Sequence, residues 1–221
     1  MLTNVYIDGL NLYYRALRGT ALKWLDVVAL SEAALPKTAQ IQVVNYYTAH
    51  VSGRVDPDAP RRQHAYLRAM STRDRFRPHF GNFLSRPKWA GIVHPLDVRP
   101  RCANFLTMTP ETVFVWKTEE KGSDVNLGVH LIRDAAKGAM KRAAVLTADT
   151  DLAEAIRICS QDFGVPVDLL TPVSKVPGSL DAYRNDVRHI KPYLRACQLP
   201  PLVELPNGKS VAKPMSWERD W

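Results

Sequence analysis

Short apolar runs and stretches of helical spacing take turns along the chain. Residues 5–7 (Val-Tyr-Ile) form a β-rich run that stops at Asp8, where Gly9 permits a tight turn. Helical spacing follows over 11–17 and again over 24–35, where Leu25, Val28, Ala29 and Leu35 share a side and Pro36 closes the helix. Residues 41–47 (Ile-Gln-Val-Val-Asn-Tyr-Tyr) predict the next strand. A polar loop rich in Asp and Pro, 52–60, leads into a basic helix over about 61–72, and 75–83 alternates as a strand. Residues 113–116 (Val-Phe-Val-Trp) predict another strand. The clearest helix runs over 124–140, with Val125, Leu127, Leu131, Ile132 and Ala135 at helical intervals behind Ser123 as N-cap. A buried strand over 143–146, a helix over 152–163 ended by Gly164, and a strand over 165–170 complete the pattern. Strands alternating with helices of about a dozen residues predict an α/β protein with a mostly parallel sheet covered on both faces.

Two stretches depart from this rhythm. Residues 86–109 carry Pro87, Pro95 and Pro100 and read as an extended surface excursion. Beyond 172 the pattern weakens: 180–197 predicts one or two short helices, and 205–221 an extended tail with Trp217 and Trp221. The expected organisation is a main domain over 1–172, followed by a helical extension and tail over 173–221 that packs on it.

Composition narrows the function classes. The chain has 221 residues, enough for one domain with additions, and 46% of them are hydrophobic. No apolar run approaches membrane-spanning length, and the first residues lack the basic start and apolar core of a secretory signal, so the expectation is a cytoplasmic protein without a membrane partner. Cys102, Cys159 and Cys197 lie far apart with no CxxC pairing, against a disulfide framework or a zinc site; Cys159 falls in an apolar helical pattern and reads as core. Thirty basic against twenty-two acidic side chains give a net charge of +8, which favours a polyanionic partner.

The chemistry-bearing residues are acids at strand ends. Asp8 closes the first strand, Asp149 and Asp151 follow the strand over 143–146, and Asp124 opens the helix after the strand over 113–116. In an open parallel sheet, ligands gather at the carboxyl ends of the strands. Strand direction alone therefore brings these four acids to one edge. Carboxylates packed together repel one another unless a cation compensates, and an all-oxygen set suits Mg²⁺ or Mn²⁺. Such an ion lowers the pKa of a bound water and stabilises charge on a phosphodiester. Each acid also has an ordinary structural role open to it: a turn at Asp8, a helix-dipole contact at Asp124, a cap at Asp149 or Asp151. Asn11 faces the same crevice from the first helical turn, Lys121 is a candidate phosphate contact, and Ser123 and Thr147 stand beside the acids.

At these positions the chain resembles the NYN family, the LabA-like and PIN-like nucleases of the FEN/PIN superfamily. The likeness lies in Tyr6-Ile7-Asp8-Gly9-Leu10-Asn11, in Glu120-Lys121-Gly122-Ser123-Asp124-Val125-Asn126-Leu127 and in Leu146-Thr147-Ala148-Asp149-Thr150-Asp151-Leu152, and it covers most of the chain. In many relatives the third motif reads Ser-Gly-Asp-Ser-Asp; here Thr147, Ala148 and Thr150 depart from it and both acids remain. The resemblance implies a Rossmann-like three-layer α/β/α sandwich. It also implies a metal-dependent endoribonuclease, with Asp8, Asp124, Asp149 and Asp151 as Mg²⁺ or Mn²⁺ ligands and Asn11 in the same catalytic pocket.

The expected activity is thus hydrolysis of RNA by a metal-activated water. Candidate RNA contacts are Lys121, Ser123, Thr147, Arg86 and Lys88 beside Trp89, together with Arg61, Arg62, Arg99 and Arg101. Two other readings stay open: a phosphatase or glycosyltransferase using Asp149-Thr150-Asp151 as a DxD motif, and a catalytically silent PIN-like module that binds RNA or protein. A homodimer is a further possible assembly.

Overall fold

The computed structural model describes residues 1–54, 56–91 and 112–218. Arg99, Arg101 and Cys102, with most of the expected surface excursion, lie outside the described residues. A seven-stranded sheet forms the centre, in the order β4-β3-β2-β1-β5-β6-β7. Its strands are β1 (Leu2–Asp8), β2 (Gln40–Ala49), β3 (Phe76–Gly91), β4 (Thr112–Lys121), β5 (Arg142–Leu146), β6 (Val167–Thr171) and β7 (Asp186–His189). All neighbours pair in parallel except β3 and β4.

The side-chain period of two distributes each central strand between two cores. Val5 and Ile7 of β1 and Ala144 and Leu146 of β5 enter one core with Trp24, Leu30 and Met70. Tyr6 of β1 and Ala143 and Val145 of β5 enter the other, with Leu127, Leu131 and Ile156. Helices α2 (Val27–Ala34) and α3 (Ala59–Met70) carry residues of the first core; α4 (Ser123–Ala136) and α5 (Ala153–Arg157) carry residues of the second. Burial on both faces explains why the central strands read as continuous apolar runs. The expected three-layer α/β/α sandwich is the fold observed.

Several elements differ in detail from their expected bounds. The second helix starts at Val27, because Asp26 caps it by accepting from Val28 N and Ala29 N; Leu25 instead bridges to Gln198. The short helices expected over 180–197 are the turns Gly178–Asp181 and Lys191–Tyr193. Between them residues 186–189 add an edge strand that was not expected, since Val187 sits between charged neighbours and leaves no apolar run to read. Near the C-terminus, β8 (Leu202–Glu204) and β9 (Ser210–Ala212) make a hairpin. The Trp217 ring then packs back 6.2 Å from Trp24 and 6.4 Å from Tyr66. The buried thiol of Cys159 is pushed up to about 12, in keeping with a core position.

One irregularity sets the position of the functional edge. β3 is 16 residues long, but only residues 76–81 pair with β2; residues 82–91 overhang the sheet and pair with β4. β4 therefore runs back along the overhang and ends at Lys121 opposite Asn82, next to the pair Gly81 and Ala49 with which β2 ends. Gly122, in the left-handed region at φ 101°, turns the chain into α4 and takes the capping position expected for Ser123. The Ser123 amide donates to Glu120 Oε1 at 2.8 Å, which satisfies one of the helix's otherwise unpaired donors. This fit needs Gly81: a Cβ there meets the Glu120 carboxylate, with Lys121 O at 2.8 Å and Ser123 N at 2.9 Å. Gly81→Ala is expected to lower stability by about 1–3 kcal/mol, the cost of forcing extra volume into a packed site. A thermal midpoint equal to that of the wild type contradicts this account of the turn.

Candidate active site

The topology reverses at β1: the chain winds outward through β2 and β3 on one side and through β5, β6 and β7 on the other. The loops after β1 and β5 therefore diverge at their carboxyl ends and open a crevice, the usual ligand position in such a sheet. Asp8 stands at the bottom of it, 2% exposed. Its Oδ1 accepts from Asn11 N at 2.9 Å, which caps the short helix α1 (Gly9–Leu12), and its Oδ2 accepts from Thr147 Oγ1 at 3.1 Å. Thr147 Oγ1 accepts in turn from Asp149 N at 3.0 Å, while Asn11 Oδ1 accepts from Ala148 N at 3.0 Å. The two loops are thereby tied together across the switch point.

Asp8, Asn11, Asp124 and Asp149 line one cavity of about 350 Å³, with Leu10, Tyr14, Arg15 and Arg18 completing it. Burial dominates the electrostatics. It pushes the Asp8 carboxyl up to about 7; the Asp124 and Asp149 charges add to the rise, and the Asn11 amide and Thr147 hydroxyl oppose it. Asp124 is raised as well, by burial first and then by Asp149 and Glu120. Asp8 thus forms a reluctant carboxylate, poised to take or give a proton near neutrality.

The remaining expected site residues fall in other places. Asp151 is exposed and outside the cavity lining; its amide donates to Asp149 Oδ1 at 3.1 Å, so Asp149 caps the single turn of 3₁₀-helix Thr150–Leu152. Ser123 and Thr147 are buried beneath the acids and brace them without facing the opening. Lys121 pairs with Glu119 at 3.7 Å, and Arg86 and Lys88 are exposed on the overhanging half of β3.

Tyr14, Arg15 and Arg18 were not expected from the sequence. Tyr14 and Arg15 lie in a π-helical segment, Tyr13–Leu17, that continues α1, and Arg18 follows it directly. The wider turn breaks the 3.6-residue register, so periodicity gives no sign that they face the acids; their only signal was cations and tyrosines close behind Asp8 and Asn11.

The expected metal site requires correction. Among the described residues, no group of three or more His, Cys, Asp and Glu side chains is arranged to hold a metal ion. Both Asp8 oxygens accept hydrogen bonds, Asp149 Oδ1 caps a turn, and Asp151 lies outside the lining of the cavity that Asp8, Asp124 and Asp149 share.

Comparison with known proteins corrects the expected activity too. No family model matches the chain. The chain is 31% identical over 244 aligned positions to 6-hydroxy-3-succinoylpyridine 3-monooxygenase HspA of Pseudomonas putida (strain DSM 28022 / S16), covering 97% of this chain and 75% of that protein. The chain belongs to the family of this monooxygenase. The expected ribonuclease, a hydrolase of phosphodiester bonds dependent on Mg²⁺ or Mn²⁺, is overturned by that relationship, because the relative's name denotes an oxidoreductase. Among solved structures, a protein of unknown function from Vibrio parahaemolyticus RIMD 2210633, VPA0982, is 16% identical over 84% of this chain and 90% of its own, with a TM-score of 0.46. No helix among the described residues is long and apolar enough to cross a membrane.

The raised Asp8 carboxyl has a stability consequence with a definite sign. Between its ordinary value of 3.8 and about 7, the unfolded chain has released this proton and the folded chain retains it, so Asp8 lowers stability as pH rises through that window. Asp8→Asn removes the penalty. The variant is expected to melt about 5 °C or more above the wild type at pH 8 and close to it at pH 4. An equal difference at both pH values contradicts the raised pKa.

Proposed function

We propose that the chain is a monooxygenase acting on a small, hydroxylated heteroaromatic carboxylic acid, with Asp8 as the base that activates the ring. The observation that carries this reading is the 31% identity to HspA across 97% of the chain. The substrate in that protein's name has a ring hydroxyl at position 6, para to position 3, where its oxygenation is directed and where an acid-bearing side chain is attached. Removing the hydroxyl proton pushes electron density to the para carbon and makes it a better nucleophile toward oxygen. A base for this step works best with a pKa near the operating pH.

The carboxylate cavity supports the same division of labour. Asp8, raised to about 7, takes the ring hydroxyl proton, with Thr147 and the Asn11 amide holding its two oxygens in place. Arg15 at the cavity wall supplies a guanidinium group suited to a substrate carboxylate. Burial holds the Asp8 carboxyl raised, and the Asp124 and Asp149 charges add to the rise. A monooxygenation also consumes two electrons, which a reduced organic donor supplies when bound. We further propose that the likeness to the NYN motifs reflects a shared strand-end scaffold, on which these acids tune a base.

The test is oxygen uptake with 6-hydroxy-3-succinoylpyridine and related 6-hydroxypyridine acids, in the presence of reduced nicotinamide and flavin nucleotides. Wild-type kcat is expected to rise with pH through about 7 as Asp8 ionises. Asp8→Asn is expected to lose about 100-fold or more and to flatten that rise. Full activity in Asp8→Asn, or no substrate-dependent oxygen uptake by the wild type, overturns the reading.

A further inference from the structure

A second cavity, of about 550 Å³, lies against the first and shares Leu10, Tyr14 and Arg18 with it. Its lining has a different character. Arg18, Arg54 and Arg62 bring guanidinium groups, and Tyr14, Phe83 and Trp217 bring aromatic rings. The Arg54 guanidinium rests 4.1 Å from the Trp116 ring centroid, and Arg18 lies 5.6 Å from that of Tyr14. A ring holds a guanidinium in place without neutralising it, so both keep their charge for a ligand. Arg62 is ion-paired with Asp56.

We propose that this cavity binds a reduced nucleotide, a phosphate-bearing planar two-electron donor of the flavin or nicotinamide class, beside the substrate. The inference rests on the monooxygenase reading above, and four observations lead to it. Guanidinium groups match phosphate by paired N–H donors, and flat rings are stacked by aromatic side chains. The volume falls in the range of cofactor sites. The neighbouring cavity sets Asp8, Asp124 and Asp149 beside Arg15 and Arg18, so the strand-end crevice where such sheets usually hold a nucleotide favours a phosphate less than this arginine-lined one does. The shared wall of Leu10, Tyr14 and Arg18 brings a planar ring bound here to the border of the substrate cavity.

The overall reaction balances with such a donor. The donor gives up two electrons and is oxidised, and the O–O bond of dioxygen breaks. One oxygen atom bonds to the ring carbon that carries the acyl side chain as the bond from ring to side chain breaks. The other leaves as water with two protons, and a water adds to the departing acyl group to give its carboxylic acid.

The test uses the full chain without substrate, following tryptophan fluorescence while FMN, NAD⁺, NADP⁺ and, as a phosphate control, AMP are added separately. At least one of the three redox nucleotides is expected to quench with a dissociation constant below about 1 mM, and the arm that responds identifies the class. Arg18→Ala and Arg54→Ala are each expected to weaken binding about tenfold, the usual scale for a lost charge-assisted hydrogen bond. Arg54 is exposed, so its removal leaves the fold intact. Asp149→Asn is expected to bind at least as tightly as the wild type. The proposal fails if none of the three binds, if AMP alone binds as well as they do, or if both arginine variants bind normally. It also fails if a single-stranded RNA oligonucleotide binds through the same arginines about 100-fold more tightly, which assigns the cavity to a polynucleotide. Binding is read with neither turnover nor substrate, so failure of Asp8 as a base leaves this result standing, and the reverse holds equally.

Discussion

The candidate site depends on the burial of one carboxyl group. Asp8 ends a strand covered on both faces, so its side chain starts from the protein interior and reaches the crevice only at its tip. Two hydrogen bonds, from the Asn11 amide and the Thr147 hydroxyl, offset part of the desolvation and do not cancel it. What remains is a carboxyl held near 7, together with the pair of loops that must stay in register to hold it there. Asn11 on Ala148 N and Thr147 on Asp149 N are the ties that keep that register.

Around this group the fold arranges charges of opposite sign in adjoining spaces. The acids come from the ends of β1 and β5 and from the start of α4, brought back by the overhang of β3 and β4. Arginines come from the π-helical continuation of α1 and from the border of α3. The acidic cavity suits proton transfer from a substrate, whereas the basic, aromatic one suits a phosphate-bearing ring. Tyr14 and Arg18 belong to both, so a shift of this one segment is felt by both cavities.

Much of this was legible in the sequence. The runs ending at Asp8 and Thr147 gave two parallel strands and placed their following acids at one edge, because a strand buried on both faces is an unbroken apolar run. Asp124 reached that edge for a reason strand direction could not supply, since β4 is antiparallel and only the overhang of β3 returns it. The π-helical turn hid Tyr14 and Arg15 from any reading by 3.6-residue period. Strand β7, with Val187 between charged residues, carried too little apolar signal to be seen. The chemistry was the least legible. Clustered acids fit a metal site as well as a tuned base, and a strand-end position does not show how the carboxyl groups are arranged or that Asp151 is exposed.

The most direct measurement is an infrared titration of the carboxyl groups, with the spectrum of Asp8→Asn subtracted at each pH. A protonated carboxyl band present only in the wild type, disappearing with a midpoint near 7, is the predicted result. If the difference band instead disappears below pH 5, Asp8 is an ordinary carboxylate, and the account of a base tuned by burial is wrong.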